Sequence, residues 1–327
     1  MKKSLIALAV ASAFVAPVAM ADTTIYGQAN ASFDVVNNGT NSINKISDNS
    51  SRLGFKGTES LGNGVSAVYQ IESSIVIDGG TSTLAGRNTY AGLTDAGLGT
   101  VIAGRYDTPY KTATRSLDVF ADGIADNRNL LGNKYGAGLN AFDARQPNIV
   151  VYTSPNLSGV TLSGAYFTLN EAVKPTNAGV SFAAMYAEGP LSASLAIENH
   201  TLDATGQKES AVKLGGSYTI DALTLNGVYE RTSDLGKHNA GYAAAKYSLS
   251  GSDVVKAAYA RAMSGKQVTV GYDHSMSKRT TVYALYTKMD NNAGGINGLS
   301  TNSSGGFASV AAGLDPKAFS MGVRHNF

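Results

Sequence analysis

Alternation of apolar and polar residues, repeated along most of the chain, is the feature that most limits its fold. Val268, Val270 and Tyr272, for example, alternate with Gln267, Thr269 and other polar or small residues. A period of two is typical of a β-strand that has one apolar and one polar face. Very little of the chain has the 3.6-residue period of a helix. The pattern therefore predicts an all-β protein.

The connections between the predicted strands are of two kinds. Residues 61–64 and 97–99 are tight and rich in glycine, whereas residues 37–49, 170–177 and 290–316 are long and polar. Short turns at one end of a sheet and long loops at the other are typical of bacterial outer-membrane barrels. The connections therefore favour a transmembrane antiparallel β-barrel over a soluble sheet.

The number of predicted strands agrees with a barrel, because bacterial barrels of this class contain an even number. About sixteen strands are predicted, beginning near Thr23, Ser51, Val65, Arg87, Thr100, Asn148, Val160, Gly179, Leu191, Lys208, Ala222, Asn239, Asp253, Lys266, Lys278 and Lys317. A tilted membrane strand needs about 9–11 residues, so the chain is long enough. No domain boundary is visible.

Alternation also permits two other folds, a soluble β-sandwich and a β-solenoid, and these are disfavoured by the predicted export signal, the number of strands and the many Tyr near strand ends. The mean hydropathy is −0.07, as expected when one face of each strand meets lipid and the other meets water. The chain has 17 Tyr and no Trp, which fits an interfacial girdle of Tyr and Phe. After the N-terminal segment, no apolar run reaches the roughly 18 residues of a membrane-spanning helix.

Residues 1–21 are predicted to be a cleaved signal peptide. Lys2 and Lys3 precede an apolar stretch, and Ala19-Met20-Ala21 has the small-x-small form of a cleavage site. The alternative is an N-terminal membrane anchor, which the short stretch and the absence of a following charge cluster disfavour. Cleavage would leave residues 22–327 as the barrel domain, with 24 basic and 24 acidic residues once Lys2 and Lys3 are removed.

Several functional classes lack their sequence signals. The chain has no Cys, and its four His residues show no HExxH spacing, so neither a thiolate site nor a zinc enzyme is indicated. No G-x-S-x-G or phosphate-binding loop is present, and the balanced charge disfavours nucleic-acid binding. No enzyme activity, cofactor or metal is therefore expected, although an outer-membrane enzyme or a surface adhesin remains an alternative.

Three segments resemble one known family. The chain ends in Arg-His-Asn-Phe, with Phe327 closing an alternating strand, and this resembles the insertion signal of outer-membrane barrels. With residues 51–57 (SRLGFKG) and 145–152 (RQPNIVVY), the whole chain after residue 21 resembles a Gram-negative general porin of the neisserial and β-proteobacterial branch. The resemblance implies a homotrimer of sixteen-stranded barrels, with the long third external loop folded into each lumen.

Residues 107–144 form one connection that is too long for a turn, and such loops are usually functional. Asp118, Asp122 and Asp126 recur every four residues, and a short helix over residues 116–127 would place them on one face. Spacing alone also permits a solvated acidic face. The resemblance implies that these acids face the lumen at a constriction.

The resemblance also implies a row of basic residues on the opposite wall. The candidates are Arg52, Lys56, Arg87, Arg145 and, more weakly, Arg324, with Glu72 as an acid behind them. An Arg that faces lipid near the midplane would cost about 2–4 kcal/mol, so all are expected in the lumen. Facing charges of opposite sign would create a transverse field across a narrow, water-filled pore.

The expected function is passive diffusion of small hydrophilic solutes and ions across the Gram-negative outer membrane. The protein is expected to reach this membrane by export through the periplasm. The alternative is a substrate- or anion-selective porin, which the mixed polar residues of the inner faces disfavour. The sign of the ion preference stays open, because wall Arg would favour anions and loop Asp would favour cations. Lipid and lipopolysaccharide are expected partners, and small residues on the first strands fit a trimer contact.

Overall fold

The structure is a computed structural model that describes residues 22–132, 142–169, 178–201, 208–233, 238–262, 265–290 and 313–327. The predicted signal peptide and most of the predicted loops 170–177 and 290–316 lie outside these residues. The strands are β1 (Asp22–Asn37), β2 (Ser42–Asp48), β3 (Arg52–Gly62), β4 (Val65–Ser74), β5 (Thr89–Asp95), β6 (Gly99–Asp107), β7 (Arg145–Thr153), β8 (Val160–Thr168), β9 (Ala178–Glu188), β10 (Leu191–Thr201), β11 (Lys208–Ile220), β12 (Leu223–Thr232), β13 (His238–Ser248), β14 (Asp253–Ala262), β15 (Gly265–Ser275), β16 (Thr280–Asp290) and β17 (Lys317–Asn326).

The strands form one closed antiparallel sheet. From β3 onward each strand pairs with the next in sequence, and β1 closes the sheet against β17 from Gln28↔Asn326 to Asn37↔Lys317. Strands β2 and β3 pair with successive halves of β1 and are separated by residues 49–51. Counted as one interrupted strand, they give the predicted sixteen-stranded barrel, which is confirmed.

One predicted loop is wrong in part. Residues 37–49 were expected to form a polar loop, but Ser42–Asp48 is a strand. The long strand β1 continues to Asn37, and the backbone groups beyond Ala31 pair with β2. Because an unpaired backbone group at a sheet edge is costly, pairing outweighs the polar composition of this segment.

The two faces of the wall differ as the alternation predicts. In β11, Val212 and Leu214 are exposed on the outside, whereas Ala211 and Lys213 between them are buried inside the barrel. Tyrosines join the exposed outer face at many strand ends; they are Tyr152, Tyr166, Tyr218, Tyr229, Tyr247, Tyr259, Tyr272 and Tyr286. An apolar outer band with aromatic residues is the surface that lipid requires. Within the described part of the chain, no helix is long and apolar enough to cross a bilayer.

The connections distinguish the two ends of the barrel. The turns at residues 63–64, 189–190 and 221–222 contain two residues each. Asn63 and Asp221 have φ of 51°, a conformation that Asn and Asp tolerate better than most residues. The described long connections, residues 75–88 and the described parts of residues 108–144, lie at the other end. In outer-membrane barrels the short turns are periplasmic and the long loops extracellular.

The connection between β6 and β7 is called the third loop below, and its described residues fold into the barrel. Helix α1 (Pro109–Arg115) packs against β9, β10 and β11 from inside. Thr108 caps the helix by accepting from the Lys111 amide, and Pro109 stands at its first turn, which is a favoured start. Further along, apolar side chains of the loop pack against inward residues of β12–β17; those of the loop are Leu117, Phe120, Ile124, Leu130 and Leu131.

The predicted helix over residues 116–127 is wrong. The helix ends at Arg115, and turns follow until a short 3-10 segment at Asn127–Asn129. Asp122 has φ of 61°, a left-handed conformation that breaks a right-handed helix. The Asp118 carboxylate accepts from the Phe120 and Asn127 amides, so it stabilises turns instead of a helix.

Candidate functional site

The third loop and the barrel wall enclose a polar cavity of about 380 Å³, called the central cavity here. Its cationic side chains are Arg52, Arg87, Lys111, Arg115, Arg128 and Arg145. Its carboxylates are Glu72, Asp107 and Asp122. The structure therefore gathers five of the residues expected at a constriction around one space, together with four charged residues that were not expected there.

Three of these residues are the arginines predicted on the wall. Arg52, at the start of β3, lies 3.2 Å from the Gln28 side-chain oxygen and 3.5 Å from the Asp122 carboxylate. Arg52 shares its face with Gly54, whereas the exposed Phe55 lies on the outer face. The alternation of β3 therefore points Arg52 into the lumen, as its parity in the sequence predicts.

Arg87 and Arg145 are the other two arginines on the wall of the central cavity. The Arg87 Nε lies 2.6 Å from the Glu72 carboxylate. Arg145 donates to the Asn88 side-chain oxygen at 2.6 Å, and its Nε lies 3.2 Å from Asp107. Each guanidinium thus pairs with one neighbouring carboxylate and remains partly open to the cavity. The ion pair fixes the position of the arginine, and the cations of the cavity are not all neutralised.

Only one of the three predicted loop acids reaches the central cavity. The Asp122 side chain is 25% exposed, whereas those of Asp118 and Asp126 are 0% and 1% exposed. Arg115 holds all three, with nitrogen–oxygen distances of 2.7 Å to Asp122, 2.7 Å to Asp126 and 3.5 Å to Asp118. Asp126 therefore stabilises the loop from behind the central cavity, and Asp118, whose side chain is also buried, borders only the smaller space beside Arg324.

Arg115 and Arg128 were missed by the sequence analysis. Arg128 lies 2.9 Å from Asp126 and 4.0 Å from Asp122. A signal was present, because these arginines flank the acids in the sequence at 115 and 128. Since a buried carboxylate needs a cation or several donors nearby, arginines in the same loop were natural partners for these acids.

The loop charges perturb each other. Burial alone would raise the pKa of Asp122, but the guanidinium groups of Arg115 and Arg52 outweigh it and lower the pKa. The pKa of Asp126 is held well below its usual range by Arg115 and Arg128, again against the effect of burial. Burial and the charge of Asp126 raise the pKa of Asp118 to about 6. Asp122 thus stays ionised beside the cavity at neutral pH.

Lys111 on α1 also lies on the cavity and was not predicted. Its ammonium lies 2.7 Å from the Asp107 carboxylate. Burial lowers the pKa of Lys111 to about 8, although the attraction of Asp107 opposes this. The cavity therefore contains one cation that titrates close to physiological pH.

Glu72 lies on the cavity, but Lys56 does not. Glu72 pairs with Arg87 and accepts from the Tyr26 hydroxyl at 2.9 Å. Lys56 is exposed, and its ammonium lies over the Tyr26 ring, 5.2 Å from the centroid. Lys56 shares the inward face of β3 with Arg52 but lies further toward the periplasmic end, because it follows Arg52 by four residues on a strand that descends to a short turn.

Arg324 lies beside a second, smaller space of about 110 Å³. Asp122 borders both this space and the central cavity. The other charged residues of the lining are Asp118, Lys256 and Asp273, and the charged groups of Lys256 and Asp273 lie 2.8 Å apart. Arg324 has inward parity, since it pairs in register with the buried Asn30. It therefore adds positive charge on the other flank of Asp122.

A buried network, called the loop latch here, ties the third loop to the wall. Lys213 of β11 pairs with Asp143 and lies 3.2 Å from Glu230 of β12. Glu230 also accepts from the Tyr110 hydroxyl at 2.9 Å and from the Gly132 amide at 2.8 Å. The latch holds both ends of the described loop on one side of the barrel, so that the polar opening lies on the opposite side, at β3–β7.

Phe327 completes the closure of the barrel. Its amide donates to the Gly27 carbonyl at 3.1 Å, and the Gly27 amide donates to the Phe327 carbonyl at 2.9 Å. A side chain at position 27 would meet the Phe327 ring at 2.3 Å. The C-terminal residue and Gly27 therefore fit together on the outer face, where the strand ends meet.

The described residues show no assembled catalytic or metal centre. Asp253 and His274 lie 2.8 Å apart at the periplasmic rim, but Ser250 and Ser252 donate to Asp253. In a hydrolytic triad the serine must bond to the imidazole. Within the described ranges, no three His, Cys, Asp or Glu side chains are placed to hold a metal ion.

Comparison with known proteins gives one consistent family. A family described as Gram-negative porin matches residues 7–294. The chain is 30% identical to outer membrane porin protein 32 of Delftia acidovorans over 100% of both chains. It is 35% identical to the major outer membrane protein P.IB of Neisseria sicca over 51% of this chain and 47% of that protein. A solved anion-selective porin from Comamonas acidovorans matches with a TM-score of 0.82 and 26% identity, over 94% of this chain and 100% of that one.

Proposed function

Because the chain belongs to the Gram-negative porin family and forms an outer-membrane channel, we propose that its pore narrows at the central cavity and prefers anions. Small hydrophilic solutes cross it passively, since transport through a water-filled pore needs only a concentration gradient. The third loop narrows the path from one side, and β3–β7 supply the opposite wall. No catalytic step is required for this function.

The observation that carries this proposal is the charge lining the central cavity. Six cationic side chains face three carboxylates there, and Asp118 and Asp126 directly behind them offset two of the cations, which leaves an excess of one positive charge. Asp118 and Asp126 lie behind the surface and are occupied by Arg115 and Arg128. The field that a permeating ion meets is therefore positive, and a positive pore lining favours anions.

The arrangement of the charges matters as well as their sum. Arg52, Arg87 and Arg145 project from the wall, and Asp122 projects from the loop toward Arg52 at 3.5 Å. Opposite charges on two sides of a narrow space create a transverse field, which low-dielectric walls strengthen. Such a field orients dipolar and zwitterionic solutes and disfavours apolar ones, whose passage would displace oriented water.

A related structure supports the sign of the preference. The Comamonas acidovorans porin that matches over 94% of this chain is described as anion-selective. We infer the same preference for this chain from its own residues, because the surplus of arginine at the central cavity gives a physical cause for it.

We also propose that the protein is a homotrimer, with β1 and β3–β6 at the contact. The outward faces of these strands carry Gly27, Ala29, Ala31, Ala67 and Ala103. Small outward residues permit two barrels to approach closely. Gly92 of β5 does not belong to this surface, because it pairs with Val68 and Ile102 on the opposite face of the sheet and points inward.

The test is the reversal potential of the purified protein in a planar bilayer under a potassium chloride gradient. The reversal potential of the wild type should have the sign that indicates a preference for chloride. The double variant Arg52→Gln with Arg145→Gln should shift the reversal potential toward the value expected for a potassium preference. The matched control is Lys278→Gln with Arg279→Gln, which removes two cations from the exposed periplasmic turn at residues 276–279. A wild type that prefers potassium, or a control that shifts the potential equally, would contradict the proposed constriction.

A further inference from the structure

Lys111 is the only lysine among the described residues that line the central cavity. It lies in the first turn of α1, and its side chain is 9% exposed. The pore function proposed above uses only the positive charge of this residue, whereas the amine of a lysine is also a nucleophile once it has lost its proton. The groups around the Lys111 amine therefore decide whether it can react with a molecule inside the pore.

The Lys111 amine shares a carboxylate with an arginine. Its nitrogen lies 2.7 Å from the Oδ1 atom of Asp107, and the Arg145 Nε lies 3.2 Å from the same oxygen. Burial lowers the pKa of Lys111 to about 8, opposed by Asp107 and assisted by the charges of Arg128 and Arg145. About one tenth of Lys111 is therefore neutral at pH 7, compared with less than about one in a thousand of a lysine with the ordinary pKa. A desolvated lysine beside other cations is a common form of activated nucleophile.

The same cavity provides donors for a small anion beside this amine. Arg128 and Arg145 both line it close to Lys111. Arg145 contacts Asn88 and Asp107 through Nε and Nη2, and within the described residues its Nη1 has no hydrogen-bond partner. Guanidinium donors bind phosphate and carboxylate oxygens strongly. An anion held by these two arginines therefore lies next to the Lys111 amine.

Two other lysines of the lumen lack this combination. Lys256 lines the smaller space, where it pairs with Asp273 and its ammonium lies over the Phe120 ring, 4.8 Å from the centroid. That space is lined by three carboxylates and two cations, so it disfavours an anion. Lys56 is exposed on the inner wall and does not line the central cavity. Of these three lysines, only Lys111 has donors for an anion beside its amine.

We propose that Lys111 is a covalent modification site for small anionic aldehydes, which form an imine with its amine inside the central cavity. The anionic group contacts Arg128 and Arg145, and this places the aldehyde carbon against Lys111. The neutral amine attacks that carbon and forms a C–N bond, while the C=O π electrons move to the oxygen, which takes up a proton from the nitrogen. A second proton converts the resulting hydroxyl group into water, which leaves. Ammonium and aldehyde thus become a protonated imine and water, with no change in oxidation state.

Asp107 suits each stage of this reaction. At 2.7 Å it is placed to accept the ammonium proton and to return it to the leaving hydroxyl group. The protonated imine keeps the positive charge at residue 111, so the ion pair with Asp107 remains. The cavity volume of about 380 Å³ lies within the range of about 300–1,000 Å³ that is usual for small-molecule sites. Because the bound anionic group cancels positive charge and fills part of the cavity, the adduct should lower chloride conductance.

The test treats the purified, folded channel at pH 7 with pyridoxal 5′-phosphate, an anionic aldehyde, or with 5′-deoxypyridoxal, which has the same aldehyde and no phosphate. Borohydride reduces each imine to a stable amine, and peptide mass spectrometry locates it. Pyridoxal 5′-phosphate should label Lys111 at least about tenfold faster than Lys56 or Lys256, because the arginines hold it beside that amine. 5′-Deoxypyridoxal should label Lys111 at least about tenfold more slowly, since a charge-assisted hydrogen bond contributes about this much.

Two variants separate the amine from the donors for the anion. Lys111→Arg keeps a cation beside Asp107 but cannot form an imine, so the label at this position and the loss of conductance after treatment should both disappear. Arg145→Gln keeps the amine and should slow its labelling at least about tenfold. The matched control is Arg279→Gln, which removes one exposed cation from the periplasmic turn and should leave the rate unchanged. Steady single-channel currents before treatment show that each variant is folded.

The proposal rests on the central cavity lying on the path through the pore, but it does not depend on the ion preference of the channel. Its failure appears in the label, whereas failure of the proposed preference appears in the sign of the reversal potential. Labelling of Lys111 no faster than that of Lys56, equal rates with the two aldehydes, or an unchanged rate in Arg145→Gln would each overturn it.

Discussion

Asp122→Asn should make the channel more anion-selective. Asp122 is the one loop carboxylate that borders the central cavity, and it lies 3.5 Å from Arg52 and 2.7 Å from Arg115. Asparagine keeps the shape of the side chain and tolerates the left-handed conformation that residue 122 adopts at φ 61°. The substitution therefore removes a negative charge with little change in the backbone.

The size of the effect follows from the distance between the charge and a permeating ion. An ion that passes about 6 Å from the carboxylate in water interacts with it by about 0.7 kcal/mol. Screening over a Debye length of about 10 Å at 0.1 M salt reduces this to about 0.4 kcal/mol. Removing the charge raises the energy of a cation and lowers that of an anion equally, so their permeability ratio changes by roughly fourfold.

The assay is the chloride-to-potassium permeability ratio, obtained from reversal potentials of single channels. Glu188→Gln is the matched control, because Glu188 is an exposed carboxylate on the outer face at the periplasmic end of β9. It makes the same change in net charge and should leave the ratio unchanged. If Asp122→Asn leaves the ratio unchanged or shifts it toward potassium, ions do not pass beside the third loop, and the assignment of the constriction is wrong.

Three further predictions concern the loop and the closure of the barrel. The chloride preference should fall as the pH rises through about 8, because burial lowers the pKa of Lys111 to about 8 and its deprotonation removes a cation from the cavity; Lys111→Arg should remove this pH dependence of the reversal potential. Lys213→Met leaves two buried carboxylates, those of Asp143 and Glu230, without their cation, a change that typically costs about 3–5 kcal/mol, so single-channel recordings should show fluctuating conductance where the wild type is steady. Deleting Phe327 removes its two backbone hydrogen bonds to Gly27 and should lower the yield of heat-resistant folded barrel on gels, whereas Phe327→Tyr should preserve it.

The face of the sheet on which a side chain lies was predictable from the sequence, because side chains alternate between the two faces of a strand. Several residues that line the central cavity could therefore be predicted. Arg52 points into the lumen because Phe55 takes the outer face of the same strand, and a charged side chain in lipid is costly. Arg145 opens a segment that resembles the porin family, and Arg87 was expected on the wall because of the same resemblance. Their meeting with Glu72 and Asp122 around one cavity depends on the register of several strand pairs.

The loop acids show where sequence reasoning was insufficient. A spacing of four suits one face of a helix, but it also suits carboxylates that stabilise successive turns. Asp118 accepts from two backbone amides and from the Tyr242 hydroxyl, and this partner lies far away in sequence, on β13. The choice between helix and turns was therefore made by contacts with the barrel wall, which local spacing does not contain.

The sequence by itself determined the all-β architecture, the number of strands and the face on which most side chains lie. These properties depend on a period of two and on the cost of placing polar groups in lipid, and both act within single strands. Only the tertiary structure decided which loop acid meets the pore and which cations surround it. Arg115 and Arg128 neutralise Asp118 and Asp126 inside the loop, and the loop latch fixes its position against β11 and β12. The net charge at the pore depends on these contacts, because it is set by which charged residues the fold brings together at one place.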